Sequence, residues 1–215
     1  KPRKEMVYYQ NIDSLASQEK SNSYEIKIQP DDLLTIVVSA EDAEASVPFN
    51  LGASSAGGET AGQGAAPSYL VDAAGTIDFP VLGKLKVAGL TRSGVLELLE
   101  GKIGQYLKKP IVNLRLINFK FSVQGEVTTP GTFPVNSDRI TLIEAISRAG
   151  DLTVYGKRDN ILVIRELNGV KTFNRVDITK ADFINSPFYY LAQNDVIYVE
   201  PSKVKINGAA VGANT

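Results

Sequence analysis

Only two stretches of this chain, 92–107 and 142–149, carry the apolar spacing of a helix. The remaining apolar residues fall in short runs that alternate with polar ones or are rich in β-branched side chains. Alternation with a period of two is the mark of a half-buried strand, and spacing near 3.6 that of an amphipathic helix. Short strands gathered around one helix, twice over, predict an α+β chain of two small mixed domains. The 215 residues are enough for two such units. Their expected limits are 23–118 and 119–201, with a polar tether over 1–22 and a tail over 202–215.

In the first unit, Tyr24, Ile26 and Ile28 alternate with Glu25, Lys27 and Gln29, which predicts a strand. Pro30-Asp31-Asp32 is a turn, and Leu33 to Val38, apolar on both faces, fits a more central strand. Residues 40–68 are rich in Ala, Gly, Ser and Glu. They bury little area and predict a long flexible loop. Order returns at Tyr69. Asp72 to Gly75 reads as a turn, and Thr76 to Val81 as a strand whose Pro80 suits an edge or bulge. Leu85-Lys86-Val87 is a further short strand. Thr91 is placed to cap the helix at 92–107, which puts Val95, Leu99, Ile103 and Tyr106 near one face. Pro110 stops that helix, and Ile111 to Ile117 is the closing strand.

In the second unit, Phe121, Val123 and Gly125 lie on one side of a strand that continues through Val127. Pro130-Gly131 has the residue order of a type II turn, with Gly131 at the position of positive φ. Thr141 and Glu144 form a capping-box pattern, and Gly150 is placed to end the helix. Ile161 to Ile164 is a buried strand, with Val170 to Phe173 as its hairpin partner across Asn168-Gly169. Val196 to Val199 is the last strand. Within the tether, one short ordered piece is expected around Met6-Val7-Tyr8-Tyr9.

The chain contains no Cys and no His. That removes thiol and imidazole catalysis, disulfides, haem ligation and zinc fingers. Lys and Arg number 23 against 24 Asp and Glu, so no broad basic field points to nucleic acid. Gly83-Lys84-Leu85 lacks the remaining residues of a phosphate-binding loop. Three acid pairs merit attention for glycoside chemistry: Asp31/Asp32, Asp72/Asp78 and Glu126/Asp138. Each sits in or beside a turn, where Asp is expected to bond local backbone. Tyr69, Tyr106, Tyr155, Tyr189 and Tyr190 are candidates either to stack on sugar rings or to fill core and interface. These residues establish no catalytic, metal or cofactor site, and the ligand-binding residues stay unassigned. No run approaches the ~20 apolar residues of a membrane span.

The ordered landmarks resemble the bacterial polysaccharide biosynthesis/export family. The opening block is Tyr24 to Leu34, where Asp31-Asp32 stands in place of the family's usual Gly-Asp after Pro. Next come Tyr69-Leu70-Val71-Asp72, Gly75 to Gly83, Val87 to Thr91, and Tyr106 to Val112. From Val123-Gln124-Gly125-Glu126-Val127 onward, through Pro130 to Phe133, Thr141 to Ile146, Ala149-Gly150 and Asn194 to Val199, the chain is similar to the β-grasp module called SLBB. The resemblance implies an export domain followed by one β-grasp domain. It also implies a non-enzymatic role in capsule or exopolysaccharide export, as a homo-oligomeric ring on the periplasmic face of the outer membrane. The implied partners are the polysaccharide, an inner-membrane co-polymerase, and the outer membrane through a lipidated Cys expected before Lys1. A membrane helix after the tail at 202–215 is possible in this family. The alternative is a periplasmic glycan-binding β-grasp module that forms no conduit.

Overall fold

The computed structural model describes residues 6–14, 25–52, 67–167 and 169–212. The chain divides into two compact units. One is Glu25–Phe119; the other joins the chain from Lys120 onward to the N-terminal segment.

The first unit holds a three-stranded antiparallel sheet with β1 (Leu33–Ser39) in the middle. After β1 come a one-turn helix, α1 (Ala43–Ser46), the short strand β2 (Tyr69–Leu70), and a hairpin of β3 (Thr76–Phe79) and β4 (Gly83–Lys86). The unit closes with helix α2 (Arg92–Ile103) and β5 (Ile111–Leu116). In the register of β1 with β5, Leu34, Ile36 and Val38 face Leu116, Leu114 and Val112. The alternation seen in the sequence thus becomes one buried face.

Thr91 caps α2 by accepting from the Gly94 N–H at 3.1 Å. Val95, Leu99 and Ile103 are fully buried, but Tyr106, read as part of the same face, lies beyond the helix and is 60% exposed. Burying an aliphatic side chain contributes about 1.5–3 kcal/mol. Three of them outweigh the ~1 kcal/mol that each of Gly94 and Gly101 costs within the helix.

Two further expectations for this unit change. The stretch 25–29 forms no ladder. It contributes a single bridge, Lys27 to Thr91, because Ile28 spends its backbone groups on Leu90 and Gly89. The loop expected over 40–68 is ordered at its start. Asp42 caps α1, a 3-10 turn follows at Val47–Phe49, and Phe49 is buried. The Asn50 amide then pairs with both backbone groups of Val38, each at 2.9 Å, as a neighbouring strand would. Residues 53–66 of that expected loop lie outside the described residues.

The second unit is a five-stranded mixed sheet in the order β7-β6-β10-β8-β9. Its strands are β6 (Lys120–Gly125), β7 (Gly131–Pro134), β8 (Gly156–Leu167), β9 (Val170–Val176) and β10 (Val196–Pro201). Helix α3 (Leu142–Arg148) lies between β7 and β8. The last strand runs parallel to the first and antiparallel to β8. This is a β-grasp arrangement, with α3 burying Leu142, Ala145 and Ile146. The capping box is present: Glu144 N–H donates to the Thr141 hydroxyl at 3.2 Å, and Thr141 N–H donates to the Glu144 carboxylate at 2.7 Å.

Gly131 does not have positive φ and does not sit in a type II turn. It is already in β7, paired with Val123. The strand expected to reach Val127 ends at Gly125, which takes φ 89°. The reason is that residues 126–130 do not close a tight hairpin. They reach across to the loop after α3, with Thr128 N–H donating to the Asp151 carbonyl and Thr129 N–H to that of Ala149. The expected tail also changes: helix α4 (Lys203–Gly212) follows β10, and Lys205 pairs with Glu126.

Residues 6–14 of the expected tether also pack here, around and beyond the short ordered piece expected at Met6 to Tyr9; its residues 1–5 and 15–22 lie outside the described residues. Gln10 N–H donates to the Thr179 carbonyl at 2.8 Å. Asn11 accepts from the Ala181 N–H at 2.6 Å and donates to Asp182 at 3.1 Å. Tyr8 donates its hydroxyl to Asp151 and lies under the Arg158 guanidinium, 5.4 Å from the ring centre. The polarity that made this segment read as a tether is that of side chains bonded to the module.

Candidate functional site

The acid pairs are largely absorbed by the fold. Asp31 takes φ 69° in the turn before β1, and buried Asp32 accepts from the Gln29 N–H at 2.8 Å. Asp72 accepts from the hydroxyl and the N–H of Thr76 at 2.7 and 2.8 Å. Those bonds, the hydroxyl's first, hold its carboxyl below the ordinary value. Asp78 is exposed on β3 opposite Lys84. Glu126 accepts from the Thr153 hydroxyl at 2.8 Å and pairs with Lys205, whereas Asp138 is exposed in the connection before α3. Glycoside hydrolysis needs two carboxyls facing one bond. The partners of Asp32, Asp72 and Glu126 are instead the turn and connection that each one braces. Among the described residues, no group of three His, Cys, Asp or Glu side chains is placed to hold a metal ion.

The tyrosines separate into two kinds. Tyr69 is core: it is 4% exposed, stacked on Phe79 at 5.4 Å, and burial pushes its hydroxyl pKa up to about 12. Tyr106 is exposed with its ring 5.9 Å from Phe49, and Tyr155 is exposed with the Lys205 ammonium 5.9 Å from its ring centre. Tyr189 and Tyr190 are half-buried and meet edge to face at 4.9 Å. They end an aromatic series that the sequence did not reveal. From Tyr9 it passes to Phe183 at 5.5 Å and on to Tyr189 at 5.7 Å, with Arg139 stacked 5.2 Å over Tyr190.

Behind these rings lies the most deeply buried charge pair among the described residues. Arg165 is in the core-facing row of β8, and Asp195 is in the turn before β10. The guanidinium donates from Nε at 3.0 Å and from Nη2 at 2.7 Å to the two carboxylate oxygens. Arg165 also donates to the carbonyls of Pro187 and Tyr190 at 3.2 and 2.8 Å, and Asp195 accepts from the Ala192 N–H at 2.8 Å. A planar, forked donor suits this task, since one side chain satisfies a carboxylate and two carbonyls together. The pair therefore sets the path of the chain from 187 to 195, and with it the position of Tyr189 and Tyr190.

On the same unit, a cavity of about 270 Å³ opens beside α3, lined by Ser137, Ile140, Ile143, Glu144, Ser147 and Arg148. The sequence marked this stretch for its helix, its capping box and Asp138, not for a cavity. The cavity forms because the loop before α3 is bound to the body of the module: Thr141 bridges to Tyr190, and Leu191 N–H donates to the Ile140 carbonyl at 3.0 Å. No helix among the described residues is long and apolar enough to cross a membrane.

Comparison with known proteins follows the same division. Residues 20–117 match the family model described as polysaccharide biosynthesis/export protein, and residues 119–199 match the SLBB domain. The chain is 31% identical over 216 residues to the EPS I polysaccharide export outer membrane protein EpsA of Ralstonia solanacearum, a match covering 96% of this chain and 56% of EpsA. It is 27% identical over 149 residues to the capsule polysaccharide export outer membrane protein CtrA of Neisseria meningitidis, covering 68% of this chain and 37% of CtrA. The chain therefore spans only about half, or less, of the length of the relatives it matches. With an export domain followed directly by an SLBB domain, the chain belongs to the polysaccharide biosynthesis/export protein family.

Proposed function

We propose that this chain is the periplasmic part of a polysaccharide-export component of the outer membrane, acting without catalysis as one protomer of a ring through which the polymer passes. The single observation that carries this reading is the order of the two matched domains, shared along nearly the whole chain with a relative named for polysaccharide export. The chemistry of the side chains supports it. A conduit needs rigid modules and polar surfaces, and the acids that could have served catalysis brace turns instead. Closure of a ring requires a repeated head-to-tail contact between copies. A lipid anchor upstream and an inner-membrane co-polymerase are the remaining proposed partners, and anchoring would favour assembly by raising effective concentration.

The test is native mass spectrometry of the full-length, lipidated protein in detergent, beside complementation of a deletion strain. A discrete large oligomer and restored surface polysaccharide are expected. Monomer alone, in a strain whose polysaccharide still reaches the surface, overturns the proposal. The glycan-binding alternative is favoured instead if a defined oligosaccharide binds the monomer one to one.

A further inference from the structure

The cavity beside α3 supports a ligand assignment, which rests on the export reading above. Its polar walls are held in place before any ligand arrives. One carboxylate oxygen of Glu144 accepts from the N–H and hydroxyl of Thr141 at 2.7 and 2.9 Å, so the other is left as an acceptor. The Arg148 Nη1 donates to the Pro134 carbonyl at 2.7 Å, which fixes the guanidinium and leaves its other nitrogens as donors. The Ser137 hydroxyl donates to the Arg139 carbonyl at 2.8 Å and keeps its lone pairs available. These bonds reduce the side-chain entropy that the exposed polar groups lose when a ligand binds.

The volume of about 270 Å³ falls just below the ~300–1,000 Å³ of sites for drug-sized molecules, so the cavity suits one small ring. Its chemistry narrows the class. A carboxylate acceptor and a guanidinium donor stand one helical turn apart, with two serine hydroxyls nearby and half-buried Ile143 as the apolar side, backed by buried Ile140. A ring with adjacent hydroxyls and an apolar C–H face matches all of these. The two charged walls cancel, so a ligand carboxylate would meet Glu144 as well as Arg148, and a ligand amine would meet the reverse conflict. Arg139, between the lining residues Ser137 and Ile140, is held beside the cavity by stacking over half-buried Tyr190.

We propose that this cavity is a subsite for one neutral pyranose residue of the transported polymer. The test is amide chemical-shift mapping of the intact chain with methyl glucoside, methyl galactoside and glucuronate, each at tens of millimolar. Shifts confined to 137–148 are expected with a neutral glycoside and weaker ones with glucuronate. Arg148→Ala, at an exposed position, should weaken neutral binding at least about tenfold, or ~1.4 kcal/mol, and leave the remaining spectrum unchanged. Shifts elsewhere, no shifts, stronger binding of glucuronate, or undiminished binding by the variant overturns the assignment. Oligomer formation is measured without sugar, so a failed subsite leaves the export reading standing, and a failed oligomer leaves the shift map readable.

Discussion

The backbone at Gly125 runs so close to Val199 that a Cβ placed on it would lie 2.1 Å from the Val199 carbonyl oxygen. The contact comes where β6 and β10 pair, at the residue whose φ of 89° ends β6. Two independent barriers therefore exclude any larger residue: the positive φ and the carbonyl. Gly125→Ala should cost at least about 2 kcal/mol, since backbone strain alone is worth ~1–3 kcal/mol. Gly131→Ala should stay within about 0.5 kcal/mol, because a Cβ there meets only the Phe133 ring at 3.8 Å. Urea denaturation of the two variants measures the contrast, and equal midpoints would show that the close approach is absent.

Breaking the buried pair of Arg165 and Asp195 should be costly from either side. Removing one partner leaves the other charge uncompensated in the core, a loss of about 3–5 kcal/mol. Arg165→Met and Asp195→Asn should each destabilise to that degree. The double variant should lose much less than the sum. A double-mutant cycle from denaturant titrations reads the coupling, and additive losses would contradict the geometry.

The acid limb of stability should depend on Glu200. It accepts from Lys157 at 2.9 Å, from Arg175 at 2.7 Å and from Asn160 at 3.0 Å, and its carboxyl is held down from 4.5 to about 2, chiefly by Lys157 and then Arg175. A folded-state pKa below the unfolded value gives stability that is present above the unfolded pKa and lost as pH falls through the folded one. The contribution should therefore be complete near neutral pH and fade between about 4.5 and 2. Glu200→Gln should flatten that part of the profile, as followed by thermal melts across this window. Solvent around the site keeps the effect modest.

Asp31 stands where the family pattern has Gly, and its φ of 69° is the conformation Gly adopts without penalty. A left-handed residue with a Cβ costs about 1–2 kcal/mol, and Asp is among the types that tolerate it best. Part of the gain from Gly is returned as greater freedom in the unfolded chain. Asp31→Gly should therefore stabilise the first module slightly, by up to about 1 kcal/mol. A lower melting temperature would show that the Asp31 side chain earns its place.

What was legible in the sequence was local. The bonds of Thr141 with Glu144, of Thr91 with the Gly94 N–H, and of Asp72 with Thr76 join residues three or four apart, so spacing alone announces them. What was hidden depends on distant chain. Gly125 owes its conformation to β10, and Pro130-Gly131 looks like a turn only until residues 126–130 are seen to dock on 149–151. Nothing beside Arg165 in the sequence points to Asp195, thirty residues on, which meets it in the core. The cavity was invisible for the same reason. Its walls come from one short stretch, but they are held by Tyr190, Leu191 and Pro134. Tyr8 and Tyr9 stood out as one short ordered piece, but their partners and that of Asn11 were hidden, because Asp151, Phe183 and Ala181 lie far along the chain.

The parallel pairing of β6 with β10 fixes an order of events for a chain that arrives from its N-terminus. The first unit has all its strands once Leu116 is present, and can close by itself. The second cannot, because the strand that joins β6 to β8 begins only at Val196. Until then both would show raw edges to any neighbouring strand, the condition that invites mispairing. The N-terminal segment waits as well, since its docking residues at 179–182 come late. The slow step of folding should therefore belong to the final third of the chain, and a truncation ahead of β10 should leave one finished module carrying an adhesive remainder.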